Sequence, residues 1–167
     1  MRRYVASRIG VALLMVGATW CLSPAFGEPY QSLKGVEGLK ITYDVQLNSP
    51  KKTVLFLKLI HQTYKDTDLE SLPQAPEFVV VFNGESVTLI SEDHDRFPRE
   101  DRVYLEEIAE RIRSMAAEGI RMEGCLTAAE LFSVDPKLFH DEIHGINNAW
   151  ISISGYQAQE FSIIPVY

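Results

Sequence analysis

The residue of this chain best suited to chemistry is Cys125, in the run Gly119-Ile120-Arg121-Met122-Glu123-Gly124-Cys125-Leu126-Thr127-Ala128-Ala129-Glu130. The run reads as a helix end, a short strand, a cysteine and a new helix start. A thiol at the carboxyl end of a strand, just ahead of a helix, meets free backbone N–H groups and a partial positive charge. Both favour the thiolate, which is the nucleophilic form. Ligands of open α/β sheets gather at the same edge. The opposing reading is a small buried hydrophobe without a chemical role. Glu123 and Glu130 weigh against a reactive thiol, because negative charge nearby opposes the anion.

Four further residues are binding candidates beside Cys125: Asn83, Gly84, Thr127 and His144. Asn83-Gly84-Glu85 closes an apolar strand. It is either a turn around a permissive glycine or part of the Cys125 pocket, with Asn83 hydrogen-bonding a bound anion. Thr127 opens the helix after the cysteine. His140 and His144 have the four-residue spacing that would put two zinc ligands on one helix face. A strand is expected to begin between them, however, and no H-E-x-x-H pattern is present. His144 is then an ordinary surface residue or a proton acceptor for Cys125. His61, on a helix, and His94, in a polar loop, are expected to be solvated. Glu106, Glu107, Glu110 and Glu118 read as a solvated helix face. The histidine pair is read as ordinary surface residues, so no metal is expected, and with no G-x-S-x-G elbow, Walker pattern or dinucleotide glycine pattern no cofactor is expected either.

These side chains must be held by regular elements. Leu39–Val45 alternates apolar and polar and reads as a strand. Ser49 then caps a helix with Pro50 at its first position, running to about Lys65. Its core face is Phe56, Leu57, Ile60 and Tyr64, while Val54, Leu55 and Leu59 widen the stripe toward a subunit interface or a buried helix. Glu77–Phe82 is the continuous apolar run of a buried parallel strand. A short helix is expected over Ser86–Ser91. A long amphipathic helix follows from about Glu100 to Glu118, with Leu105, Ile108, Ile112 and Met115 on one face and Gly119 as its C′ residue. Next come strand Ile120–Gly124, a short helix from about Thr127, a turn at Asp135-Pro136 and a strand over Glu142–Ile146. Residues 148–159 are ambiguous. Trp150–Ser154 alternates like a strand, whereas Asn148 would cap a helix. Phe161–Ile164 reads as a final strand.

The 167 residues suit one domain. Residues 1–27 read as a secretory signal: Arg2, Arg3 and Arg8, an apolar run Val11–Ala18, and small residues around Ala25-Phe26-Gly27. The apolar run is short for a bilayer span. The alternatives are an uncleaved anchor, or lipidation at Cys21, which bulky Trp20 disfavours. The expected location is periplasmic or secreted, with no stable membrane insertion after processing. Removing residues 1–27 leaves Cys125 as the single cysteine. It also leaves 13 basic against 23 acidic residues, a net charge of −10. That excludes a nucleic-acid partner, whose phosphates need a basic surface. A lone thiol in an oxidising compartment points to an intermolecular pair or a free reactive group.

From residue 38 onward, after a linker at 28–37, the chain resembles the DsrE/DsrF-like (DsrE, TusD-like) family of small sulfur-relay proteins. The residues that carry this are Leu39–Lys65, the run Phe78-Val79-Val80-Val81-Phe82-Asn83-Gly84, the element Ile108–Cys125, the pattern Cys125-x-x-Ala128-Ala129, and the closing segment Gly155–Pro165. The resemblance implies an α/β fold, a three-layer α/β/α sandwich with a mainly parallel five-stranded sheet. It implies helix rather than strand at 148–159. It implies a homo-oligomer in which Cys125 carries sulfane sulfur as a persulfide, received from or passed to a protein or a small sulfur compound. The competing expectation is a non-catalytic oligomeric binding or structural module with a buried, inert Cys125.

Overall fold

The computed structural model describes residues 27–167. The secretory-signal reading of residues 1–27 lies outside them except for Gly27. Among the described residues no helix is long and apolar enough to cross a membrane.

Strand β1 (Lys40–Val45) buries Ile41, Tyr43 and Val45 on one face, and Thr42 on the other face is fully buried as well, because β1 is an inner strand covered on both sides. Helix α1 (Pro50–Tyr64) starts where the sequence places it: the Ser49 hydroxyl accepts from the Lys52 N–H, and Pro50 occupies the first turn. The short α2 (Thr67–Glu70) follows, then β2 (Glu77–Phe82), buried on both faces after its first residue. A seven-residue 3₁₀ segment, Gly84–Ile90, replaces the expected short helix. Helix α3 (Arg102–Ala117) buries Leu105, Ile108, Ile112 and Met115 and stops at Gly119, whose φ of +94° suits glycine. Strand β3 (Arg121–Cys125), helix α4 (Leu126–Leu131), strand β4 (Ile143–Ile146), helix α5 (Ala149–Ala158) and strand β5 (Ser162–Val166) complete the chain. Residues 28–37 are more than a linker, because Leu33 packs against the core.

The five strands form one all-parallel sheet in the order β4-β3-β2-β1-β5. From β1 to β4 each step moves one strand in the same direction, so right-handed crossovers stack α1, α3 and α4 on one face. The return from β4 to β5 carries α5 across the other face. The result is the three-layer α/β/α sandwich. Residues 149–158 are helical, capped by the Asn148 side chain on the Trp150 N–H.

In α1 the buried positions are Pro50, Thr53, Leu57 and Ile60. Phe56 and Tyr64 are only half-buried, while Leu55 and Leu59 stand exposed on the outer side.

Candidate functional site

Cys125 ends β3 and caps α4. Pairing of β3 with β2 and β4 sets Arg121, Glu123 and Cys125 on one face of the sheet, and Met122 and Gly124 on the other. The neighbouring loops then leave in opposite directions, β3 into α4 and β4 into α5. Such a divergence opens a crevice at the carboxyl edge of a parallel sheet, and Cys125 sits in it. Its Sγ accepts two backbone N–H groups, from Ala128 in α4 and Ala149 in α5, each at 3.4 Å. These are first-turn donors with no partner inside their own helices. The two helix starts are tied together, since Thr127 gives both its N–H (3.1 Å) and its hydroxyl (2.6 Å) to the Asn147 carbonyl.

The thiol is 3% exposed and has no disulfide. It lines a cavity of about 320 Å³ whose walls come from four consecutive strand ends. Gln46 follows β1, and Asn83 and Gly84 follow β2. Thr127, Ala128, Leu131 and Phe132 belong to α4 and its end, and Asn148 and Trp150 to the start of α5. Leu131 and Trp150 are apolar yet 75% and 74% exposed.

No family model matches this chain, and no curated protein matches it. Solved structures do. A protein of unknown function, MTH1491 from Methanobacterium thermoautotrophicum, superposes with a TM-score of 0.59 at 12% identity, covering 76% of this chain and 98% of that one. A conserved protein of unknown function, BT1422 from Bacteroides thetaiotaomicron, gives 0.51 at 17% identity, covering 75% and 94%. The likeness is one of fold.

Asn83, Gly84 and Thr127 converge on the cavity with Cys125. The turn reading of Asn83-Gly84 holds as well. Asn83 Oδ1 accepts from the Gly84 N–H at 2.8 Å, and Gly84 has a φ of +59°. His144 does not line the cavity. It is exposed on β4, paired in register with Glu123, one alternation short of the Cys125 level. His140 and His144 share no helix face. His140 is buried before β4, and its Nε2 has no partner among the described residues. No group of three or more His, Cys, Asp or Glu residues there could hold a metal. His61, expected to be solvated, is half-buried and bonded to Glu118 at 2.8 Å, linking α1 to the end of α3.

Glu123 also departs from expectation. Its carboxylate is 2% exposed and takes hydrogen bonds from Arg121 Nε (2.7 Å), the Ser152 hydroxyl and the Tyr156 hydroxyl (2.8 Å). The Glu123 hydrogen bond raises the pKa of Arg121. Burial, reinforced by the bond to Glu123, pushes the Tyr156 phenol up to about 12. The network anchors α5 against β3, so the helix that gives its Ala149 N–H to Cys125 is gripped further along by Glu123. Sequence reasoning missed the α5 contribution. The Asn148 cap, together with the helix that the family resemblance implies at 148–159, was the available signal, because it places a helix start at the carboxyl edge beside β3.

Proposed function

We propose that this chain handles sulfane sulfur as an exported, homo-oligomeric DsrE/DsrF-like protein, with Cys125 as the persulfide-carrying thiol. The observation that carries the reading is the pair of backbone N–H groups converging on Cys125 Sγ at the mouth of two helices. Hydrogen bonds to an anion are the stronger kind. The same two donors would hold the negative sulfur of a thiolate before transfer, or of a persulfide after it. The Cys125 thiolate attacks the outer sulfur of a donor R–S–SH. The donor S–S bond breaks, R–S⁻ leaves with the electron pair, and Cys125–S–SH remains. A second thiolate reverses the step on an acceptor. Asn83, Gly84 and Thr127 shape the cavity where donor and acceptor meet. Leu55 and Leu59, exposed on α1, are the kind of apolar surface that a second copy covers.

The test is mass spectrometry of the full chain carrying Cys21→Ser after incubation with polysulfide, or with thiosulfate and a sulfurtransferase. A gain of one sulfur atom is expected, and none in the protein that also carries Cys125→Ser. No gain, or an equal gain in both, sinks the reading. The competing module with an inert Cys125 draws on the burial of the same thiol. It requires that the folded protein resist thiol reagents, and rapid iodoacetamide labelling at neutral pH counts against it.

A further inference from the structure

We infer that the Cys125 cavity takes a sulfane-sulfur donor with an uncharged, apolar body, an aryl or alkyl persulfide, in preference to an inorganic or peptide anion. The inference rests on the reading of Cys125 as a sulfur acceptor and names its substrate class.

The lining contains no Lys, Arg or His. Thiosulfate would bring two negative charges to a lining without a counter-cation, and buried charge is costly unless paired. The Arg96 guanidinium, which reaches the Phe132 carbonyl from outside the lining, is already engaged by the Phe132 and Ser133 carbonyls and by Asp93. Proteins that bind such anions supply Arg or Lys for the purpose. The charges nearest in sequence are acidic: Glu85 follows Gly84, and Glu130 precedes Leu131. The polar side chains of the lining are also largely committed. Asn83 Oδ1 holds the Gly84 N–H, Asn148 Oδ1 holds the Trp150 N–H, and the Thr127 hydroxyl is given to Asn147. Gln46 donates to Asp44 at 2.7 Å. The amide NH₂ groups of Asn83 and Asn148 remain, enough to orient a ligand but not to neutralise a dianion.

The mouth, by contrast, is apolar and open to a ligand. Leu131 and Trp150 keep about three quarters of their surface in water. An aryl or alkyl body placed against them removes that surface from solvent. A volume of about 320 Å³ lies at the small end of small-molecule sites. In the transfer itself, the Cys125 thiolate takes the terminal sulfur of R–S–SH with its hydrogen, the donor S–S bond breaks, and R–S⁻ departs. The apolar R group stays at the mouth throughout, and no oxidant enters.

The test uses the full chain with Cys21→Ser and Trp20→Phe, so that Cys125 is its only cysteine and Trp150 its only tryptophan. Benzyl persulfide, glutathione persulfide and thiosulfate are compared as donors, each rate divided by the rate of the same donor with free N-acetylcysteine. The normalised benzyl rate should exceed both others by about tenfold or more, and Leu131→Ser should narrow that ratio by about threefold. Equal normalised rates, or a ratio unmoved by Leu131→Ser, overturn the inference. If no donor adds sulfur, the sulfur-acceptor reading fails, and benzyl methyl sulfide, which has the body without the transferable sulfur, decides the cavity separately. It should change Trp150 fluorescence and slow iodoacetamide labelling of Cys125. Absence of both effects overturns the preference for an apolar body.

Discussion

Glu123 lies two residues before Cys125 on the same face of β3, and its carboxylate is spent on Arg121, Ser152 and Tyr156. In sequence it reads as a charge that opposes a thiolate. In the fold it is a compensated anchor, because two of its three donors arrive from α5, some thirty residues later. Alternation along β3 makes the shared face legible, but no local pattern reveals partners so far along the chain. His140 is a second case. The sequence offers it as half of a metal pair, and the fold buries it. Desolvation, the largest cause, lowers its pKa, with Glu92 and Glu142 opposing and His94 and Arg113 assisting. The unfolded histidine binds its proton near the ordinary value of about 6.5, and the folded one only at lower pH. The stability this contributes is therefore fully present above about pH 6.5 and is lost as pH falls toward the folded value. Urea midpoints at pH 7.5 and 5.5 should drop more for the wild type than for His140→Leu. Equal drops would show that His140 does not drive the change.

Among the elements, α5 is where local pattern and fold disagree. Trp150-Ile151-Ser152-Ile153-Ser154 alternates like a strand, yet the segment is helical. Parallel neighbours cannot be joined by a tight turn and need a crossover, and β4 must return across the whole sheet to reach β5. Helical spacing also solves the packing. Ala149 and Ile153 are buried four residues apart, and Ser152 and Tyr156 reach Glu123 at the same interval. A strand would put Ala149 and Ile153 on one face and Ser152 and Tyr156 on the other, whereas helical spacing gathers all four on one side. Most other elements were legible because their cues are local: Ser49-Pro50 opening α1, Gly119 ending α3, the unbroken apolar run of β2. Asn148 is the cue that locates α5. Asn148→Ala should cost about 1 kcal/mol by urea denaturation, the usual value of an N-cap side chain. It should also alter the iodoacetamide labelling rate of Cys125, because the cap fixes the turn that presents the Ala149 N–H. A variant with wild-type stability and labelling would show that this helix start is held by other contacts.

Across the whole molecule, β3 joins the two helical layers. One face carries Glu123 and Cys125 beneath α5, and the other carries Gly124 against side chains brought from distant segments. A Cβ built on Gly124 would meet Phe139 at 2.8 Å, and Ile143 and Ile90 at 2.9 Å. None of the three is adjacent in sequence, so this close approach was not visible in the chain, where Gly124 is simply one position of a short strand. Gly155 is the contrasting case: it lies within α5, and a Cβ there meets nothing within 4 Å. Neither glycine has a positive φ among the described residues, so backbone strain does not separate them, and the same substitution should act with opposite signs. Gly124→Ala forces three packed side chains apart and should destabilise by about 1–3 kcal/mol, the usual cost of overpacking. Gly155→Ala removes chain entropy from the unfolded state and improves helix propensity, and should stabilise by roughly 0.5–1 kcal/mol. Urea unfolding of the two variants beside the wild type checks both signs. A neutral Gly124→Ala would mean that the contacts on β3 have room to relax, and that the two layers are less tightly coupled through this strand than the packing requires.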